Sequence, residues 1–169
     1  MTLLSWRSDY RVGIDVIDCE HQALFGLIND FHDKFAGGDT HGQLLVVLNR
    51  LVAYAEAHFQ HEETLMREIG YPHLAEHQQM HEQLYSSIFA LNEKLSQHGA
   101  TMNADTLRFL KTWITGHIIQ EDLSIGEFLE RKIITVRRGA PGAPGAPMAT
   151  REAQPSVQGN ATPRAEAVK

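Results

Sequence analysis

The chain has a single cysteine, Cys19, in 169 residues. No disulfide can form within it, and no thiolate cluster can hold zinc, which fits a reducing compartment. No run of about 18 or more apolar residues occurs, so no transmembrane helix is expected. The opening MTLLSWRSDYRVGIDV lacks a signal-length apolar run and a cleavage site, so a cytoplasmic location is expected. Positive charge is in short supply: 15 Lys and Arg stand against 21 Asp and Glu, a formal net charge of −6. That balance argues against nucleic acid or an anionic membrane surface as the main partner. Strand signals are missing as well.

What remains is helical and rich in histidine. The hydrophobic share is 43% and the length of 169 residues suffices for one domain with a real core. Ten residues are histidine, and neutral imidazole is the commonest metal ligand.

Four segments repeat apolar residues at helical spacing. The first runs from about Cys19 to Phe35, with Leu24, Phe25, Ile28 and Phe31 on one side and Gly37-Gly38 at its end. The second starts near Thr40, carries Leu44, Leu48, Leu51, Val52 and Ala55, and reaches Ile69, with Gly70 as its stop. Tyr71-Pro72 turns a corner, and Pro72 suits the first turn of the third segment. That segment carries Leu74, Leu84, Ile88, Leu91 and Leu95 to about His98, where Gly99 closes it. The fourth begins near Asn103 with Leu107, Leu110, Trp113, Ile114 and Ile118 and continues to about Ile134.

Long helices and short loops predict an all-α fold, an antiparallel up-down four-helix bundle. Residues 1–18 read as an irregular N-terminal arm, with Trp6, Tyr10, Val12 and Ile14 available to pack against the bundle. Together they make a domain over 1–138. From Gly139 the composition switches to GAPGAPGAPMATREAQPSVQGNATPRAEAVK. A stretch so poor in large apolar side chains cannot bury enough surface to order itself, so 139–169 reads as a flexible, disordered tail.

Polar residues interrupt the apolar stripes in every segment. His21 lies among Ile17, Leu24, Phe25 and Ile28; His58 and Glu62 are four apart, as are His77 and His81. Four residues amount to about 40° around a helix and one turn along it, so such pairs converge on one centre. Each feature alone has a bland explanation, as a hydrogen-bonded core histidine or a solvated face. All four segments together do not, because burying several unpaired imidazoles and carboxylates costs several kcal/mol unless something compensates them. A metal site built from inward-facing ligands of four helices is the reading that follows.

His32, His41 and His98 fall near helix ends and read as exposed, His73 has a small claim to the His77 face, and His61 and Glu63 read as surface or outlying groups. On the fourth segment spacing conflicts with itself. Glu121 is four residues from His117, whereas Asp122 is five, about 140° away on a regular helix. Using Asp122 requires a distortion such as a π-bulge. Spacing leaves Glu121 and Asp122 undecided.

His21 within VGIDVIDCEHQALFGLIN, then HFQHE from His58, HQQMH from His77 and HIIQED from His117 together resemble the hemerythrin family, most closely its single-domain bacterial members. The resemblance covers about residues 6–135. Cys19 and Glu20 are slightly atypical and are not expected to affect coordination. The resemblance implies two iron ions, Fe2+ or Fe3+, joined by an oxo or hydroxo bridge. It assigns His77, His81 and His117 to one iron and His21 and His58 to the other, with Glu62 and Asp122 bridging. It thereby chooses Asp122 over Glu121 and leaves the second iron open for dioxygen. Leu24, Phe59, Trp113, Ile114 and Ile118 match the walls of the oxygen pocket.

The implied function is reversible dioxygen binding for storage, transport or delivery, not catalysis. Imidazole and carboxylate suit iron, and five histidines with two carboxylates favour reversible binding over oxidase chemistry. The runners-up are a di-iron enzyme (oxidase, peroxidase or consumer of nitric oxide), an oxygen or redox sensor, and a structural metal site. The expected state is a monomer with an oxygen-consuming enzyme as candidate recipient, and the lack of a fused signalling domain favours a free carrier. Truncation after Arg138 is expected to leave oxygen binding intact, read as an unchanged oxygen-dependent visible spectrum.

Overall fold

A computed structural model describes residues 2–97 and 101–139, the last four of these by backbone alone. The expected tail beyond Gly139, and His98 and Gly99, lie outside the described residues.

Helix α1 spans Asp15–Gly37 and buries Ile17, His21, Leu24, Phe25, Ile28 and Phe31, one stripe at intervals of three and four. It ends where Gly38 takes φ 78, a left-handed turn that costs glycine nothing. Helix α2, His41–Ile69, starts at a capping box in which Thr40 and Gln43 satisfy each other's backbone N–H groups, and stops at Gly70 with φ 65. Helix α3 spans Leu74–Ser96, so Pro72 lies two residues ahead of it and not in its first turn. Helix α4, Ala104–His117, is capped by Asn103, whose side chain accepts from the N–H groups of Asp105 and Thr106. A five-residue π-helical turn, Ile118–Asp122, then leads into α5, Leu123–Gly139.

Short connections make sequential helices antiparallel neighbours: α1 packs on α2, α2 on α3, and α4 returns against α1. The core holds Leu48, Leu51, Ile88 and Leu110, all without measurable exposure. Up-down topology has a consequence for the histidines. His21 and His77 lie early in their helices, while His58 and His117 lie late in theirs. All of them therefore arrive at the same end of the bundle. Among the described residues, no helix is long and apolar enough to cross a membrane.

The arm is shorter than spacing predicts, because α1 begins at Asp15 rather than near Cys19. The reason is Asp18. Its buried carboxylate accepts from the backbone N–H groups of Val12 at 2.8 Å and Gly13 at 3.1 Å, which ties the incoming strand of chain to the first helical turn. Upstream, Asn29 holds the Leu4 backbone through two 2.8 Å hydrogen bonds. Trp6 and Tyr10 pack edge-on against Phe25, and the Trp6 ring centroid lies 6.4 Å from that of His21. The arm thus covers the site end of α1.

The arm also leans on α5. A Cβ at Gly126 would stand 1.8 Å from the Val12 carbonyl oxygen, so this crossing excludes any side chain. Gly126→Ala should displace the arm and destabilise the protein by about 1–3 kcal/mol, the usual range for overpacking. Denaturant or thermal unfolding checks this; an unchanged midpoint would show that the arm moves freely.

Candidate metal centre

The π-helical turn decides between the two candidate acids of the fourth segment. Its extra residue carries Asp122 back under His117, so that Asp122 Oδ1 lies 3.0 Å from His117 Nε2. Glu121, the partner that regular spacing favours, is half-buried and lines an outer groove with Gln120, Met80 and Trp113. A turn widened by one residue is a recurrent device for aiming a side chain at a functional site.

All seven side chains meet. One donor atom from each of Glu62, His77, His81, His117 and Asp122 lies within 4.8 Å of the others, and His21, His58, Glu62 and Asp122 form a second such group. The two groups share Glu62 and Asp122. The oxygens of Asp122 face opposite ways, Oδ1 toward His77 and His117 and Oδ2 toward His21 at 3.2 Å. Glu62 Oε2 lies 3.4 Å from His77 Nε2 and 3.2 Å from His81 Nε2. None of the seven residues is more than 5% exposed.

These contacts are close but not aligned as hydrogen bonds. Both oxygens of Glu62, both of Asp122, both ring nitrogens of His21 and Nε2 of His58 are buried without a hydrogen-bond partner. Unsatisfied buried acceptors are rare and costly. Three ring nitrogens also crowd together, His81 Nε2 lying 3.0 Å from His77 Nε2 and 3.1 Å from His117 Nε2, and a cation among these atoms would complete the arrangement. The donor set fits iron: imidazoles and carboxylates without thiolates.

The outer faces of two imidazoles are held from behind. His81 Nδ1 lies 3.0 Å from Glu63 Oε1, and Gln78 Nε2 donates to Glu63 Oε2 at 2.7 Å. His58 Nδ1 lies 2.8 Å from Glu20 Oε2, and His61 Nδ1 lies 2.8 Å from Glu20 Oε1. A carboxylate only accepts, so both rings point an Nδ1–H outward at an acid and turn Nε2 inward. Glu20, which the sequence reading sets aside, touches a ring of the centre. Its only signal in the sequence is a place beside His21, about 100° round the helix.

Among the described residues, His32, His41 and His73 stay out. His73 is exposed at the head of α3. His32 pairs with its neighbour Asp33, and His41 Nε2 bonds the Leu95 carbonyl at 2.6 Å. The expected wall residues Leu24, Phe59, Trp113, Ile114 and Ile118 are all buried in the core. Phe59 stacks on His81 with ring centroids 4.1 Å apart.

Over residues 12–129 the chain matches the family described as hemerythrin HHE cation binding domain. The chain belongs to the hemerythrin family. It is similar to a bacteriohemerythrin of Methylococcus capsulatus, with 31% identity over 130 residues that cover 76% of this chain and 98% of that one. It is 29% identical to myohemerythrin-1 of Phascolopsis gouldii over 69% of this chain and 87% of that one. A crystal structure of wild-type hemerythrin superposes with a TM-score of 0.70 at 30% identity, covering 75% of this chain and 98% of the other. These likenesses agree with the bundle and with a buried cation site at one end of it.

Electrostatics inside this hemerythrin-family centre follow from the clustering. Burial opposes a charge on His77, yet the Asp122 and Glu62 carboxylates outweigh it and raise the imidazole to about 9. Burial and Asp122 both push Glu62 up, but His77 and His81 outweigh them and hold it at about 2. Asp122 is likewise driven well below the ordinary range, because His117 and the other imidazoles overcome its burial.

In the metal-free chain, His77 contributes stability that is complete below about pH 6.5 and is lost as pH rises through about 9. The two carboxylates contribute stability that is present above about pH 4.5 and is lost as pH falls through their lowered values. A metal that takes His77 as a ligand would have to displace its proton. Titrating metal-free protein with Co2+ in a pH-stat should release more protons at about pH 7.5 than at about pH 9.5. Equal release would show that His77 enters the site already neutral.

Proposed function

We propose that the chain binds dioxygen reversibly at a non-haem pair of iron ions, for storage, transport or delivery. The observation that carries this reading is the pair of buried donor groups sharing Glu62 and Asp122. In this assignment His77, His81 and His117 would hold one iron and His21 and His58 the other, and Glu62 and Asp122, common to both groups, would serve both. Two iron ions, when bound, supply the electrons and the open coordination position that dioxygen requires. The side with two imidazoles has fewer protein donors and is the natural place for that opening.

The chain's own residues do the rest. Glu62 and Asp122 stay ionised despite having no exposure, so they neutralise cationic charge without a proton to release. Leu24, Phe59, Ile114 and Ile118 form an apolar wall that keeps water and protons away. Trp113 directs its Nε1–H to the Leu84 carbonyl at 3.0 Å, so it contributes a ring face and no proton. A wall of this kind favours release of dioxygen unchanged over its reduction, which supports a binding protein over a di-iron enzyme. The domain division at Arg138, a cytoplasmic location, a monomeric state and an oxygen-consuming recipient belong to the same proposal.

Iron-loaded protein should show a visible band in air that bleaches when oxygen is removed, with two iron atoms per chain. Asp122→Ala should abolish the band and lower the iron content, while Glu121→Ala should preserve both. One iron per chain, or turnover of a reductant with released peroxide, would overturn the carrier reading.

A further inference from the structure

The side of the centre with fewer donors has one external support among the described residues, and it reaches the surface. Glu20 is 13% exposed in its side chain and sits between His58, with none, and His61, at 65%. Each ring offers its Nδ1 to a different oxygen of the same carboxylate, both at 2.8 Å. His21, the other imidazole on this side, has neither ring nitrogen hydrogen-bonded. The side with three imidazoles has its own separate support in Glu63 and Gln78.

We propose that Glu20, steadied by His61, is a positioning residue that locks His58 as its Nδ1–H tautomer and thereby governs metal loading of the two-imidazole side. The inference rests on the two-metal reading of the centre. A neutral imidazole carries one proton on either nitrogen. With the carboxylate behind it, the proton stays on Nδ1 and the buried Nε2 presents a lone pair inward. Without the carboxylate, the proton can move to Nε2, and a protonated nitrogen cannot ligate. The ring also loses the contact that fixes its rotation.

Glu20 is suited to this task. Both of its oxygens face ring nitrogens of α2, one each, and a carboxylate can only accept from them. His61 supplies the second anchor from α2, one helical turn beyond His58. An exposed histidine, three residues from a ligand, thus acts on the centre through a shared carboxylate and not by coordination.

The test is a Co2+ titration of the full-length, metal-stripped chain followed by visible absorption. Wild type should take two equivalents. Glu20→Ala should leave the first unchanged and weaken the second about 10–100-fold, the usual effect of removing such a support. Glu20→Gln should restore part of that loss, because its amide oxygen still accepts. His61→Ala should produce a smaller loss in the same direction. Histidine 15N NMR of the metal-free chain gives a readout that general destabilisation would not move. His58 should carry its proton on Nδ1 in wild type and Glu20→Gln, and shift toward the Nε2–H form in Glu20→Ala. Glu20→Ala binding two equivalents as tightly as wild type, or weakening both equally, would overturn the proposal. A wild-type chain that takes one equivalent would overturn the two-metal reading with it, before any variant is made.

Discussion

Two carboxylates with no solvent exposure, Glu62 and Asp122, set the terms for the rest of the molecule. Moving an isolated carboxylate out of water is strongly unfavourable. An apolar bundle tolerates two of them only because His21, His77, His81 and His117 press within 3.0–3.4 Å. The same imidazoles leave the carboxylate oxygens without aligned hydrogen bonds, so compensation is incomplete until cations arrive. The bundle supplies the geometry and the metal supplies the missing charge.

That constraint explains features which are otherwise unrelated. The arm is pinned by Asn29 and Asp18, and it places Trp6 beside His21 at the end of the bundle where the charges are buried. The fourth helix gives up regular geometry for one turn so that Asp122, not Glu121, faces inward. Carboxylates outside the centre, Glu20 and Glu63, hold the outward Nδ1 faces of His58 and His81. Each device orients or shields a group that would be unfavourable if left loose.

The centre is uneven by construction. Three imidazoles gather on one side and two on the other, and the apolar wall of Phe59, Trp113, Ile114 and Ile118 belongs to the surrounding core. Unevenness matters for oxygen binding, because the side with two imidazoles offers a cation fewer protein donors than the side with three. The outer support from Glu20 falls on the side with fewer donors, where loss of a single ligand would matter most.

Much of this was legible along the chain. Apolar residues at three- and four-residue intervals, with Gly38, Gly70, Thr40 and Asn103 at the boundaries, specify helices through local physics: backbone freedom, capping and face burial. Repeated His and Glu pairs mark the inner faces for the same reason, since a helix relates residues one turn apart. Local periodicity could not choose between Glu121 and Asp122, because a π-turn depends on what the widened helix gains from His117 and its neighbours. Nor could it show that Glu20 reaches across from α1 to His58 and His61, or that Asp18 folds back to hold Val12 and extends α1 to Asp15. Those contacts join residues distant in sequence or off the regular repeat, and only packing in three dimensions brings them together.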